Sequence, residues 1–389
     1  MLQRRANQIA SGNRGMSKKT ILLNGPAFNT KDASYGGGKG GAERNMALYL
    51  NGFSSEDHEL EPCFYSVRQK GAGRLSFVKR LVGDTREVLR KGRSAAGIHI
   101  LAQYRTAIYR EFSVVLASLI LRLPILYHIK AGIFVDWLKS CRYWEKKMAL
   151  FILARADVIL CEGQVYVDYL RSELRIESHY FPNFVPEGEI PTNVGSKLTE
   201  DKIRVLFVGF CYEGKGVFEL VEGCQMAATG GMRVELTLVG QEHEYFTRFL
   251  DSQNASGLSI TVNRMGTMEH DEVLALYETH DVFCMPTRHR GEGHTNTINE
   301  AMMMGMVIVS TRHGFLERVL ADNSSFFLDD LTPTDIAKTL KTIHIDRDEA
   351  RQRAKRARTR LMSCFTSNTA FSNLSAHYRT LTHEGQSSN

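Results

Sequence analysis

Short apolar runs rich in β-branched residues alternate with helical patterns along almost the whole chain, and this alternation limits its fold more than any other feature. Strand-like runs lie at Thr20–Leu23, Pro62–Val67, Ile98–Leu101, Ile125–Ile129 and Val158–Cys161. A second series lies at Ile203–Val208, Val234–Val239, Leu258–Val262, Val282–Met285, Met306–Ser310 and Ser325–Leu328. Such runs, alternating with helices, belong to parallel sheets covered on both faces. Between the two series is a polar stretch rich in Pro and Gly, PNFVPEGEIPTNVGSKLTE at 182–200, which reads as an interdomain linker. The chain is therefore expected to be α/β, with two Rossmann-like, doubly wound domains facing each other across a deep cleft. Ligands of such folds sit at the carboxyl ends of the strands. The first domain is placed at 20–185 and the second at 186–365. Residues 366–389 are read as a C-terminal helix returning to the first domain, and 1–19 as a disordered basic tail. A length of 389 residues suits two domains.

Several classes are excluded. The seven cysteines are scattered and none forms a Cys-x-x-Cys pair, so neither a disulfide framework nor a zinc site is indicated. The N-terminus lacks the apolar core of a signal peptide. The longest apolar run, Phe112 to Leu121, has ten residues, and a membrane span needs about 20. A cytoplasmic location is expected, peripheral at the inner membrane face if the basic region described next binds lipid.

The net charge of +6 is unevenly placed. Between Arg68 and Arg93 nine Lys or Arg stand against Asp84 and Glu87, and Leu75, Val78, Val82 and Leu89 recur at helical spacing. The segment reads either as a solvated amphipathic helix or as a surface for anionic lipid. No nucleic-acid motif accompanies it, so no nucleic-acid partner is expected.

The richest local signal is CMPTRHRGEGHTNTINEAMMMGMVIVST at 284–311. It reads as buried strand, long turn, helix from about Asn296 to Met304, Gly305 as stop, and buried strand. Thr295 is placed as the N-cap, its hydroxyl accepting from an amide of the first turn. The amides of Asn296 and Thr297, with the helix dipole, then form a site for a phosphate or diphosphate. Glu292 and Glu300 lie beside that site, where carboxylates suit hydroxyl donors rather than phosphate.

This segment resembles the signature of retaining glycosyltransferases of family 4, which have the GT-B fold. Further matches follow in order: GGGKGGAERNMALYL (36–50), ILYHIKAG (125–132), ARADVILCEG (154–163), FPNFV (181–185) and VLFVGFCYEGKGV (205–217), with Gly314 and Glu317 after the signature. The resemblance spans residues from about 20 to 380. It implies that Glu300 binds ribose hydroxyls, Glu292 the hydroxyls of the donor sugar, and the amides near Thr295–Thr297 the diphosphate, with Gly293 and His294 in the same loop. Lys215 would meet the leaving phosphates, the amides of Gly40 and Gly41 would approach from the first domain, and His128 would contact the donor sugar. His128, Lys215 and Glu292 are thus the implied catalytic set. No metal and no cofactor beyond the nucleoside-diphosphate sugar is implied.

Two positions depart from the family. Phe210 stands where an Arg is usual, so Arg288, Arg290 or Arg312 is a candidate for the missing charge. His294 replaces the usual Phe or Leu. The glycines Gly36, Gly38 and Gly41 also fit Gly-x-Gly-x-x-Gly, but they lie about ten residues beyond Leu23 and no acid ends the second strand. A P-loop fails because Gly40 follows Lys39. The reading is a retaining hexosyltransferase acting on a hydroxyl acceptor, for which the basic patch and the resemblance favour a lipid-linked glycan of surface polysaccharide assembly. The alternatives are an epimerase of the same fold, an NAD-dependent oxidoreductase and a non-catalytic sugar-nucleotide binding protein.

Overall fold

The computed structural model describes residues 18–26, 41–65, 74–103, 105–255 and 257–384. The tail read at 1–19 lies outside them as far as residue 17, and Lys19 already belongs to the first strand. Gly36, Gly38 and Gly40 also lie outside the described residues.

One sheet holds β1 (Lys19–Pro26), β2 (His58–Tyr65), β3 (Gly97–Ala102), β4 (Ile125–Ile129), β5 (Val158–Cys161) and β6 (His179–Tyr180), in the order β2-β1-β3-β4-β5-β6. The other holds β7 (Ile203–Val208), β8 (Val234–Val239), β9 (Thr261–Gly266), β10 (Val282–Met285), β11 (Val307–Ser310) and β12 (Phe326–Phe327), in the order β12-β11-β10-β7-β8-β9. Every pairing is parallel, and helices alternate with the strands as the α/β reading requires. Strands β3, β4, β5, β10 and β11 are buried along their whole length, which is why they read as largely apolar runs.

The edge strands depart from the sequence reading. Strand β2 starts at His58 rather than Pro62, because its ladder with β1 continues through the polar segment His58–Glu61. Strand β9 runs Thr261–Gly266 rather than 258–262, pairing with β8 through Asn263 and Arg264. Edge strands are half-exposed, so apolar content does not mark their ends. The two-residue β6 leaves no periodic signal.

Chain reversal places the last helix, Ser367–Glu384, against the first sheet. Phe371, Leu374, Tyr378 and Leu381 join Ile21, Leu23, Tyr49 and Leu126 in one apolar cluster. Tyr378 Oη lies 2.7 Å from His99 Nδ1, and Thr382 Oγ1 lies 3.2 Å from His58 Nε2. The two crossings between domains are tied together, Val185 N–H donating to Phe365 O (2.9 Å) and Ser367 N–H to Val185 O (2.8 Å). All seven cysteines are unpaired. Among the described residues no helix is long and apolar enough to cross a membrane.

The basic segment forms the helix Arg74–Lys91. Its buried side carries Asp84 and Val88, whereas Leu75, Val78 and Val82 are 75%, 54% and 61% exposed. The apolar stripe at 75, 78 and 82 thus faces outward, with Lys79 and Arg86 exposed beside it.

Removing the side chain of Leu374, fully buried where the last helix meets the first sheet, is expected to cost about 2–5 kcal/mol of stability. Leu75→Ala is expected to change stability by less than about 0.5 kcal/mol. Urea unfolding of both variants checks the pair.

Candidate active site

In the second sheet the strand order reverses between β7 and β10, the place where doubly wound folds open a crevice at the carboxyl ends. The loops after these two strands carry Lys215 and Glu292. Lys215 ends the 3-10 turn Glu213–Lys215, closed by Gly216 at φ +69°. A Cβ at Gly216 would lie 2.0 Å from Pro286 O, so the turn rests directly on the loop after β10. Lys215 Nζ lies 2.6 Å from Glu292 Oε2, which also accepts from Thr287 Oγ1 at 2.7 Å. The Glu292 side chain is 4% exposed. A buried carboxylate is stable when paired in this way.

The helix after this loop is Asn296–Met303, one residue shorter than read. Thr295 occupies the N-cap position, but its hydroxyl takes no amide as predicted. It accepts from Thr297 Oγ1 (3.3 Å) and donates towards Met285 Sδ (3.8 Å). A helix start leaves its first amides without intrahelical acceptors, and the N–H groups of Asn296 and Thr297 take no acceptor among the described residues. Asn296 Oδ1 is buried with no partner among the described residues.

Glu300 is buried, and its Oε1 accepts from Arg44 Nη2 at 2.8 Å. Arg44 belongs to the helix Gly41–Gly52 of the first domain, so this ion pair crosses the cleft. Gly41 is the first residue of that helix, and Gly40 lies outside the described residues.

The backbones of the two domains come very close at Gly132, just past β4. A Cβ there would lie 2.4 Å from Gly291 O and 2.8 Å from Gly293 N. Around this contact Glu162 Oε1 accepts from His294 N–H (2.9 Å) and from Asn183 Nδ2 (3.0 Å). The same Asn183 amide donates to His294 O at 2.5 Å, and its Oδ1 accepts from Lys130 Nζ. Burial raises the Glu162 carboxyl to about 7, opposed first by the Lys130 charge; burial likewise draws Lys130 down, with Glu162 opposing. Tyr166 of the first domain and Phe315 of the second pack edge-to-face, centroids 5.0 Å apart, and extend the contact.

Two expected site residues keep their rings out of the cleft. His128 is completely buried inside β4, stacked on His99 (centroids 5.4 Å) and sharing a 3.2 Å hydrogen bond with it. Tyr49 and Phe181 pack edge-on against it. Its side chain therefore belongs to the layer between sheet and helices, and burial holds it far below the usual histidine range. Lys130, two residues on and past the end of the strand, is the residue delivered to the cleft. The His294 imidazole is also turned away, buried edge-on against Phe365 (4.7 Å) and donating from Nε2 to Asn299 Oδ1 at 2.7 Å. Burial lowers it to about 3. Its backbone, not its ring, reaches across the cleft.

The candidates for the cation missing at Phe210 fare unequally. Arg288 pairs with Glu219 (2.9 Å) and Glu213 (3.4 Å), and Arg312 pairs with Glu317 (2.8 Å) and lies over the Phe327 ring. Phe210 is 41% exposed and packs against Tyr212 and His243. Arg44, Lys130, Glu162 and Asn183 were missed as site residues. Their signal was position just beyond a strand end or at the start of a helix facing the cleft, rather than residue type.

Comparison with known proteins bears on this arrangement. Residues 191–360 match the family described as "Glycosyl transferases group 1". The capsular polysaccharide biosynthesis glycosyltransferase CapM of Staphylococcus aureus is 22% identical over 289 residues, covering 70% of this chain and 74% of CapM. HepE of Anabaena, solved in complex with UDP, superposes with a TM-score of 0.68 at 14% identity, over 93% of this chain and 100% of that one. Sucrose-phosphate synthase of Thermosynechococcus elongatus gives 0.66 at 16% identity, over 94% and 99%. The fold is GT-B. The match to the second domain, with these neighbours, supports a GT-B glycosyltransferase.

Gly132→Ala is expected to leave each domain folded but to push the domains apart, because its methyl group would meet backbone rather than a movable side chain. Small-angle scattering should show an increased radius of gyration, and circular dichroism should be unchanged.

Proposed function

We propose that this chain is a retaining glycosyltransferase that moves a hexosyl group from a nucleoside-diphosphate sugar to a hydroxyl of a lipid-linked glycan in polysaccharide assembly. The observation that carries this reading is the pairing of Lys215 with buried Glu292 at the switch point of the second sheet, beside the free amides of Asn296 and Thr297. Anion and polyol are recognised by opposite chemistry, and here both recognising groups lie within one loop cluster. The amides and Lys215 take the diphosphate, Glu300 the ribose hydroxyls and Glu292 the sugar hydroxyls. Support comes from a relative named for capsular polysaccharide biosynthesis and from a neighbour solved with UDP and glucose.

In the reaction the bond between the sugar C1 and the β-phosphate oxygen breaks as the acceptor oxygen bonds to C1 on the same face. The acceptor proton passes to the departing phosphate. Negative charge accumulates on that phosphate, and Lys215 and the helix amides stabilise it in place of an obligatory divalent ion. Before the donor arrives Lys215 is held by Glu292, and sugar hydroxyls replace it as partners of that carboxylate.

The outward-facing stripe Leu75, Val78 and Val82, with Lys79, Arg80 and Arg86 around it, suits an anionic bilayer that presents the acceptor. Each basic residue at such a surface adds about 1 kcal/mol. Reversing Lys79, Arg80 and Arg86 to Glu is expected to abolish sedimentation with phosphatidylglycerol vesicles while leaving transfer to a soluble acceptor unchanged. Retained vesicle binding would remove the membrane from the proposal.

The direct test is turnover of UDP-, GDP-, ADP- and dTDP-sugars with and without glycan acceptor. Acceptor-dependent release of one nucleoside diphosphate is expected; conversion of the sugar nucleotide without acceptor would favour the epimerase. For the active donor, Lys215→Ala should lower kcat by about a hundred- to a thousandfold, or about 2.7–4 kcal/mol. Donor affinity should change much less, because amides hold the ground-state diphosphate.

A further inference from the structure

The donor reading assigns Glu300 to ribose, yet in the structure one oxygen of that carboxylate already holds a guanidinium. Arg44 crosses from the first domain and places Nη2 at 2.8 Å from Glu300 Oε1, with side-chain exposures of 17% and 3%. The same Nη2 lies 3.3 Å from His270 Nε2, and His270 in turn lies 3.4 Å from Glu189 in the linker. Ribose hydroxyls that donate to Glu300 thus meet a guanidinium already seated on Oε1 and compete with it for this carboxylate.

A displaced guanidinium has a destination close by. Glu300 follows Asn296 and Thr297 by four and three residues on one helix, so its backbone lies about 4.5–6 Å along the axis from theirs. That span is within the swing of an arginine side chain anchored on the facing helix. Phe210 stands beside the turn that carries Lys215, and of the three arginines that could replace the missing cation Arg288 and Arg312 are paired with Glu219 and Glu317, so exposed Arg290 and the cleft-spanning Arg44 remain as candidates. A planar guanidinium suits two phosphate oxygens better than an ammonium does.

Resting on the donor reading, we propose that Arg44 is a mobile donor-binding residue that neutralises Glu300 in the empty site and moves to the diphosphate when ribose takes its place. The exchange leaves no buried charge alone. Glu300 trades an ion pair for hydroxyl donors, and Arg44 trades a carboxylate for phosphate. The first domain would thereby sense the donor through the residue that spans the cleft.

The test uses the full chain and two probes per base: UDP with uridine, GDP with guanosine, and ADP with adenosine, measured by calorimetry and, for the weaker nucleosides, by ligand-observed NMR. The readout is the ratio of diphosphate affinity to nucleoside affinity for the base that binds best. In Arg44→Gln this ratio is expected to fall at least fivefold, with nucleoside affinity unchanged or improved because no guanidinium need be displaced. A ratio that falls less than fivefold overturns the proposal, whether both affinities hold or both drop together as in a structural defect. If Arg44→Gln does not fold, Arg44→Lys is measured against the same ratio, with a fall of at least twofold expected and an unchanged ratio overturning the proposal. Wild-type protein that binds none of the three diphosphates overturns the donor reading itself, and this inference with it.

Discussion

The close approach of two backbones at Gly132 governs the arrangement of the cleft. A side chain there would collide with Gly291 O at 2.4 Å. Its absence lets the loop after β10 lie against the end of β4. Glu162 can then reach the His294 amide, and Asn183 can satisfy Glu162, His294 and Lys130 together. Buried polar groups left without partners are costly, and this network leaves few of them. Glu292 lies between Gly291 and Gly293, so its position depends on groups supplied by both domains.

Within that frame, among the described residues, Lys215 pairs with Glu292 and Arg44 with Glu300 in the cleft. Each buries a carboxylate almost completely and supplies its counter-charge from another element. Removing either cation alone would leave an uncompensated buried acid, the costly outcome for such pairs. A ligand that carries both hydroxyls and phosphates can dissolve both pairs at once, giving donors to the acids and acceptors to the cations. A simple anion or a simple polyol can satisfy only half of each exchange. The electrostatics therefore favour a molecule in which the two chemistries are joined.

The surface of the first domain shows the same economy of placement. The helix Arg74–Lys91 spends Val88 and Asp84 on packing and leaves Leu75, Val78 and Val82 outside. Exposed apolar residues at helical spacing within a basic surround are characteristic of interfacial helices. Periodicity in the sequence identified the stripe but not its direction, because an amphipathic pattern reads the same whether the apolar side meets a core or a bilayer.

By itself the sequence determined the α/β class, the buried strands and the loop from Glu292 to Thr297, because each is written in local periodicity and in short-range spacing. Strands β4, β5, β7, β8 and β10 lie where their apolar runs place them. It also singled out Lys215, Glu292 and Glu300, though not the partners they take. Only the tertiary structure decided that His128 is packed between sheet and helices while Lys130 enters the cleft, since a residue inside a buried strand faces a covering layer and one past its end faces solvent or ligand. Only it joined Arg44 to Glu300 and Glu162 to His294, contacts between residues 256 and 132 positions apart in the chain. Local patterns record which residues are buried. Which buried charges meet depends on how two separately folded sheets close on each other.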